Sequence, residues 1–110
     1  MLEIKFRAWD GRNIRTDFYL DSKEMIVMQF TGFIDRHGKE IYEGDIVRCY
    51  DGAGEISEDD SDTGIGYIEW LDDHGFWNIS KIENGLGDIL QNGYIEIIGN
   101  IYENPNLLAE

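Results

Sequence analysis

Polar and apolar residues alternate along several short stretches of the chain, which is the period-two pattern of a β-strand. Residues 4–9, "IKFRAW", follow this pattern near the N-terminus, and residues 17–20, "DFYL", predict a second strand. Residues 25–30 carry largely apolar side chains on both faces, which indicates a central strand or an interface strand. The chain shows no long amphipathic helical pattern.

Glycines and turn-forming residues connect the further strands. Asp35–Gly38 and Tyr42–Asp45 predict two linked tight turns, because aspartate favours the start of a turn and glycine tolerates the backbone geometry near its end. These turns lead into a predicted strand over residues 46–50. Residues 67–71 and 76–79, joined by "DDHG", predict a β-hairpin.

The C-terminal part predicts one more strand and a helical turn. The strand pattern covers residues 94–102, with a bend or bulge at Gly99–Asn100, and Asn104 before Pro105 predicts a single helical turn. Six or seven short strands in 110 residues fit a small barrel, and "EGDIV" followed by a loop and "GYIEW" is typical of SH3-like barrels. We therefore predict a mainly β fold: a small SH3-like barrel with additional N-terminal strands and a short C-terminal helical turn.

Residues 51–66, "DGAGEISEDDSDTGIG", interrupt the strand pattern. They include four glycines and six acidic residues but no basic residue, which predicts a long, exposed and mobile acidic loop. No internal repeat or domain boundary is evident, so we predict a single domain over residues 1–110.

Charge is the most unusual feature of the composition. The chain has 9 basic and 23 acidic residues and a net charge of −14. Residues 1–50 hold 8 of the bases and 9 acids, whereas residues 51–110 hold only Lys81 against 14 acids. Such a surface repels phosphate, so we expect no direct nucleic-acid binding. It suits a basic protein partner, a cation or simple solubility.

Two sets of residues are candidates for partner binding. The aromatic set could line a groove, and its alternative role is packing in and around the core. Its main members are Trp9, Tyr42, Trp70 and Trp77, and Tyr50, Tyr67 and Phe76 are further aromatic residues that could take part. The acidic set lies in the loop and comprises Glu58, Asp59, Asp60 and Asp62.

The acidic loop resembles a calcium loop only in part. Counting Glu58 as the first of twelve positions brings Glu69 to the twelfth, where calcium loops carry an acidic ligand. However, the sixth position holds Thr63 where glycine is required, and Glu69 falls in a predicted strand. We therefore predict a solvated loop and no metal ligands.

No motif for catalysis, a cofactor or a membrane span is evident in the sequence. Cys49 lies in a predicted strand, as expected of a half-buried thiol in a reducing cytosol. His37 and His74 each precede a glycine in a predicted turn, where a histidine is normally solvated. The charged N-terminus does not resemble a signal peptide. We therefore expect a cytoplasmic protein that is not an enzyme and needs no cofactor.

Four blocks together resemble the YopX family of phage and prophage proteins: "KFRAWD", "MQFTGFIDRHGKEIYEGDIV", "GYIEW" and "EIIGNIYENPNLL". They occur in the family's order and span nearly the whole chain. The resemblance implies a mainly β fold with an SH3-type barrel, a phage or prophage origin, and a location in the cytoplasm of a bacterial host. It also suggests that the protein could form homo-oligomers, and it implies no activity and no functional residues.

Three functional hypotheses follow. The first is a non-catalytic β-barrel module that binds a protein partner, such as a basic host protein, or binds itself. The alternative is an acidic mimic of nucleic acid that blocks a host nucleic-acid-binding protein. An enzyme is the least favoured of the three, because no catalytic constellation is recognisable.

Overall fold

The computed structural model describes residues 4–16 and 25–108; the predicted strand over residues 17–20 lies outside them. The described residues form eight strands, one short α-helix and a C-terminal 3-10 helix. The elements are β1 (Phe6–Trp9), β2 (Ile14–Arg15), β3 (Ile26–Ile34), β4 (Glu40–Tyr42), β5 (Asp45–Tyr50), β6 (Gly64–Leu71), β7 (Phe76–Ile79), α1 (Leu86–Asn92), β8 (Tyr94–Asn100) and the 3-10 helix Pro105–Leu108.

The strands form two four-stranded antiparallel sheets. The first has the order β2-β1-β3-β4 and curls into a half-barrel, and the second has the order β7-β6-β5-β8. The mainly β prediction and the C-terminal helical turn are confirmed. The assignment to the SH3-like class stays a prediction.

The turn between β4 and β5 joins the two sheets. Gly44 occupies this turn with a φ of +88°, a left-handed conformation that favours glycine. Its N–H donates to the carbonyl of Ile68 and its carbonyl accepts from the N–H of Ile101, both at 2.9 Å. One glycine therefore links the first sheet to a strand of the second sheet and to the chain that follows β8.

The other predicted turn, Asp35–Gly38, is also present. Gly38 has a φ of +83°, and its N–H donates to the carbonyl of Asp35 at 3.0 Å. The buried Asp35 carboxylate accepts three further backbone N–H bonds, from His37 at 2.8 Å, Lys39 at 2.9 Å and Ile97 at 3.1 Å. Burial raises the pKa of Asp35, but these hydrogen bonds outweigh it and the net pKa is lowered.

A second buried carboxylate closes the Tyr42–Asp45 turn. Asp45 accepts from the guanidinium of Arg7 at 2.7 Å and from the N–H of Tyr42 at 2.7 Å. Burial raises the pKa of Asp45, and the charge of Arg7 opposes that effect without cancelling it. Each predicted turn is thus stabilised by its own aspartate, one through backbone amides and the other through an ion pair.

The hydrophobic core lies between the second sheet and α1. Alternate residues of β5, β6 and β8 point into it, as the period-two pattern requires, and Trp77, Leu90 and Ile97 pack against its edge. The buried members are Ile41, Val47, Cys49, Ile68, Ile79, Ile82, Leu86, Ile89 and Ile95.

Strand bounds differ from the sequence-based expectation at several places; for example, β8 ends at Asn100, whereas the predicted strand covered residues 94–102. Two differences matter most. Strand β6 begins at Gly64, so the loop between β5 and β6 covers residues 51–63 and is shorter than the predicted 51–66. Gly66 belongs to that strand and pairs with Val47 of β5. Only glycine fits at this position, because a Cβ there would lie 2.0 Å from the carbonyl oxygen of Ser80. The second difference is helix α1, which the sequence did not predict; it buries Leu86 and Ile89.

Candidate functional site

Two tryptophans form the centre of an exposed aromatic surface. Trp70 of β6 and Trp77 of β7 are directly opposed in the hairpin, and their rings meet edge to face with centroids 5.0 Å apart. This geometry is the preferred one for aromatic pairs. Trp70 remains 42% exposed, so the pair belongs to the surface as much as to the core.

Two phenylalanines and a glycine-containing segment complete the surface. Phe33 of β3 and Phe76 of β7 are exposed beside the tryptophans. Together with the two tryptophans and with Gly75, Glu83, Asn84, Gly85, Gly87 and Asp88, they line an open cavity of about 550 Å³, which we call the aromatic groove. Its volume lies within the range of about 300–1,000 Å³ that is usual for small-ligand sites.

Glycine at position 85 allows the groove wall to form. A Cβ at Gly85 would lie 2.9 Å from two ring carbons of Phe76 and 3.2 Å from the carbonyl oxygen of Trp77. The Phe76 ring therefore packs directly on the backbone that precedes α1. Gly87 plays a milder part, since its Cβ would lie 3.7 Å from the tip of Phe33.

The groove has a negative rim. Glu83 and Asp88 line it, and none of its described lining residues is lysine or arginine. Asp72 and Asp73, in the hairpin turn, share a neighbouring hollow with Trp70. The apolar surface of the groove therefore lies in a region of negative potential.

The acidic loop holds this rim in place. Asp62 accepts from the backbone N–H of Asn84 at 3.1 Å and from its side-chain amide at 2.8 Å. The N–H of Glu83 donates to the carbonyl of Ser61 at 3.1 Å. Two residues of the loop thus fix the segment that carries Glu83, which gives Asp62 a structural role beside the predicted partner-binding role.

The other acidic candidates do not meet in one site. Glu58 and Asp59 are exposed, whereas Asp60 is half-buried and accepts from the N–H of Asp62 at 3.0 Å. Within residues 4–16 and 25–108, no group of three or more histidine, cysteine or acidic side chains is arranged to hold a metal ion.

Two of the four aromatic candidates lie outside the groove. Trp9 stacks on Tyr102, with ring centroids 5.8 Å apart. Tyr42 is only 8% exposed, because its ring packs on Phe30 and under the guanidinium of Arg7. The structure therefore brings Trp70 and Trp77 together but places Trp9 and Tyr42 elsewhere, and Tyr42 offers a partner little surface.

Comparison with known proteins identifies the family. The model of the YopX protein family matches residues 12–109. The chain belongs to the YopX family. It is also similar to the crystal structure of protein EF1440 from Enterococcus faecalis, with 26% sequence identity and a TM-score of 0.68 over 98% of this chain and 99% of that one. No match was found among curated proteins.

The family match and the structural neighbour carry no statement of activity. In the part of this YopX chain that the structure describes, no helix has the length and apolar character needed to cross a bilayer. Among the features of the described residues, the aromatic groove is the strongest candidate for a functional site.

The titratable residues considered for chemistry lie apart from the groove. His37 is largely exposed, and its Nε2 lies 3.2 Å from Oε2 of Glu96. The other carboxylate oxygen of Glu96, Oε1, accepts from the hydroxyl of Tyr50 at 2.8 Å. Cys49 is fully buried, and desolvation together with the charge of Asp62 raises the pKa of its thiol to about 12. Cys49 is therefore a protonated core side chain in this YopX protein, in place of the half-buried thiol that was expected.

The sequence analysis did not predict several of the groove residues, among them Phe33, Glu83 and Asp88. For Phe33 a weak signal existed, since the preceding Gly32 has a φ of +90° where the pairing of β3 with β4 shifts register. A glycine inside a strand pattern indicates such an irregularity. For Glu83 and Asp88 no local signal existed, because their place beside the tryptophans arises from the tertiary fold.

Proposed function

We propose that this YopX protein is a non-catalytic interaction module whose protein partner docks on the aromatic groove. The observation that supports the proposal is the clustering of Phe33, Trp70, Phe76 and Trp77 in one open cavity. Aromatic side chains are enriched in interface cores, and tryptophan dominates the residues that carry most of the binding energy. A partner that covered these rings would remove a large apolar area from water.

The proposal includes three expectations from the sequence: an SH3-like barrel and a cytoplasmic location, which the residue pattern and the family resemblance both suggest, and a phage or prophage origin in a bacterial host, which rests on the resemblance alone. The Enterococcus source of the similar structure is in keeping with a bacterial cell as the setting for experiments. The partner is a host protein in this proposal, and a second copy of the chain is the competing occupant.

The mimicry of nucleic acid is less well supported. A mimic requires carboxylates that are free and regularly spaced to meet the basic groove of its target. Of the four loop acids, Asp60 and Asp62 already accept hydrogen bonds from their own chain. Of these four candidates, Glu58 and Asp59 alone are exposed, which favours the aromatic groove over the loop as the docking surface.

Site-specific photocrosslinking in bacterial cells tests the proposal. A photoreactive benzoylphenylalanine replaces Phe76 in the groove in one variant and Tyr94 in the control variant. Tyr94 is a suitable control because it is an aromatic residue of β8 with similar exposure, 43% against 39%, and it does not line the groove. Irradiation followed by mass spectrometry then identifies any attached protein.

We expect a discrete adduct from the position of Phe76 and none from the position of Tyr94. Substitution of Trp70 by alanine in the same chain should abolish the adduct, because it removes the central ring of the groove. Equal adducts from both positions, or an adduct unaffected by Trp70→Ala, would refute the proposed docking surface. An adduct between two copies of the chain would show that the groove binds a second copy of the protein and not a host protein.

A further inference from the structure

We propose that the aromatic groove receives an arginine side chain from a basic segment of the partner. This inference rests on the proposed function and adds the chemistry of the ligand to it. It follows from three observations: the charge of the rim, the arrangement of the rings, and the way in which this fold packs its own arginines.

The charge of the groove selects a cation. Glu83 and Asp88 line it, and Asp72 and Asp73 share a neighbouring hollow with Trp70. The sequence from residue 51 to residue 110 contains 14 acidic residues and a single base, Lys81, which is not among the described lining residues. An anionic segment would meet repulsion from several sides, whereas a cationic segment meets complementary charge.

The rings select the type of cation. In an edge-to-face pair such as Trp70 and Trp77, the edge of one ring meets the face of the other, so some ring faces are not covered by the pair itself. Tryptophan is the best acceptor for cation–π contacts. The guanidinium group stacks on aromatic faces and is more weakly hydrated than an ammonium group, so arginine loses less hydration than lysine in such a site.

The fold uses the same packing within its own chain. The guanidinium carbon of Arg7 lies 4.7 Å from the ring centroid of Tyr42. That of Arg36 lies 5.0 Å from the ring of Tyr94 and 5.5 Å from the ring of Tyr50. Arginine over an aromatic ring is thus a repeated contact in this structure. Among the described residues no lysine or arginine lies over the rings of Trp70 and Trp77, which have acidic neighbours.

The three tryptophans allow a direct test by NMR, because each indole N–H gives its own signal. Trp70 and Trp77 report on the groove, and Trp9, stacked on Tyr102, is an internal control. The intact protein is titrated with the peptide acetyl-Leu-Arg-Leu-Arg-Leu-amide. A second titration uses the same peptide with citrulline at both arginine positions, which keeps the shape and removes the charge.

We expect the arginine peptide to shift the Trp70 and Trp77 signals and to leave the Trp9 signal in place. Its affinity should exceed that of the citrulline peptide by about tenfold, or ~1.4 kcal/mol, and should fall as salt screens the rim charges. The double variant Glu83→Gln/Asp88→Asn should lose most of this preference. Glu58→Gln/Asp59→Asn, which removes the same charge from exposed loop residues outside the groove, should keep it.

Each contrary result has a distinct meaning. Equal binding of both peptides at Trp70 and Trp77 would overturn the arginine inference, while the proposed docking surface would stand. The absence of any shift at these two signals would also overturn it, and the photocrosslinking result would then decide the proposed function separately. A shift of all three signals, or an equal loss of preference in both double variants, would show non-specific attraction and refute the inference.

Discussion

Replacement of Gly44 by alanine should destabilise the protein more than any other glycine-to-alanine change in a turn of similar geometry. With a φ of +88°, any L-residue at this position costs about 1–2 kcal/mol. A Cβ would also lie 3.1 Å from the sulfur of the buried Met28 and 3.5 Å from the ring of Tyr102. Crowding in a packed interior adds about 1–3 kcal/mol, and the flexible thioether places the effect at the lower end. We therefore expect a total loss of about 2–3 kcal/mol.

Gly38→Ala separates strain from crowding. Gly38 has nearly the same backbone conformation, with a φ of +83°, but a Cβ there would meet nothing within 4 Å. This variant should lose only the strain energy of about 1–2 kcal/mol. His37→Ala, at a largely exposed neighbouring position, should change stability by no more than about 0.5 kcal/mol. Both controls lie in the Asp35–Gly38 turn.

Urea unfolding measures these differences. At a slope of about 1.5 kcal/mol/M, a loss of about 2–3 kcal/mol lowers the midpoint by about 1.3–2 M, provided that the slope itself is unchanged. If Gly44→Ala lost no more stability than Gly38→Ala, Gly44 would not be a close contact between the sheets. If His37→Ala were the most damaging of the three, the turn would have to be reconsidered as a chemical site.

Three further predictions concern buried groups and the groove wall. The stability of Asp35→Asn should fall less steeply with acidification below about pH 5 than that of the unmodified protein. The native pKa of Asp35 lies below its unfolded value of about 3.9, so the stabilisation by this carboxylate is lost as pH falls through the native pKa. Urea unfolding at a series of acidic pH values measures the effect. Cys49 should react with a thiol reagent at pH 8 only in denaturant, because it is buried and its pKa is raised to about 12. Gly85→Ala should displace Phe76 and weaken binding of the arginine peptide about tenfold, or ~1.4 kcal/mol, by the same NMR titration.

Each of these predictions can fail on its own. An acid profile identical to that of the unmodified protein would show that Asp35 does not contribute. Rapid labelling of Cys49 without denaturant would place the thiol outside the core. Unchanged peptide affinity in Gly85→Ala would remove Phe76 from the binding surface.

The turns were predictable from sequence because their requirements are local. Gly38 and Gly44 need backbone conformations that other residues rarely adopt, and Asp35 and Asp45 supply oxygens to amides or charges close by. The hairpin of β6 and β7 was equally predictable, because polar and apolar residues alternate along its strands and turn-forming residues join them. In each case a few adjacent residues determine the turn, although distant partners also stabilise it, such as Arg7 for Asp45 and the N–H of Ile97 for Asp35.

The groove and α1 were not predictable because their causes are distributed along the chain. Phe33 comes from the first sheet and Trp70 from the second, and only the packing of the sheets places them together. Helix α1 has seven residues and contains Gly87, so its propensity is low and its burial of Leu86 and Ile89 has to stabilise it. The burial of Tyr42 was not predictable for the same reason, since it depends on Arg7 and Phe30, which are distant in sequence.

The most direct test of the central claim is to measure by calorimetry how tightly the protein binds the partner that photocrosslinking identifies. The partner's Kd is measured with the unmodified protein, with Trp70→Ala and with Tyr94→Ala, after the fold of each variant has been verified. A tryptophan at the centre of an interface contributes about 2 kcal/mol or more, so Trp70→Ala should weaken binding by at least about thirtyfold. Tyr94→Ala should change the Kd by less than about twofold, or ~0.4 kcal/mol. Equal affinities for Trp70→Ala and the unmodified protein would contradict the claim that the aromatic groove is the docking surface.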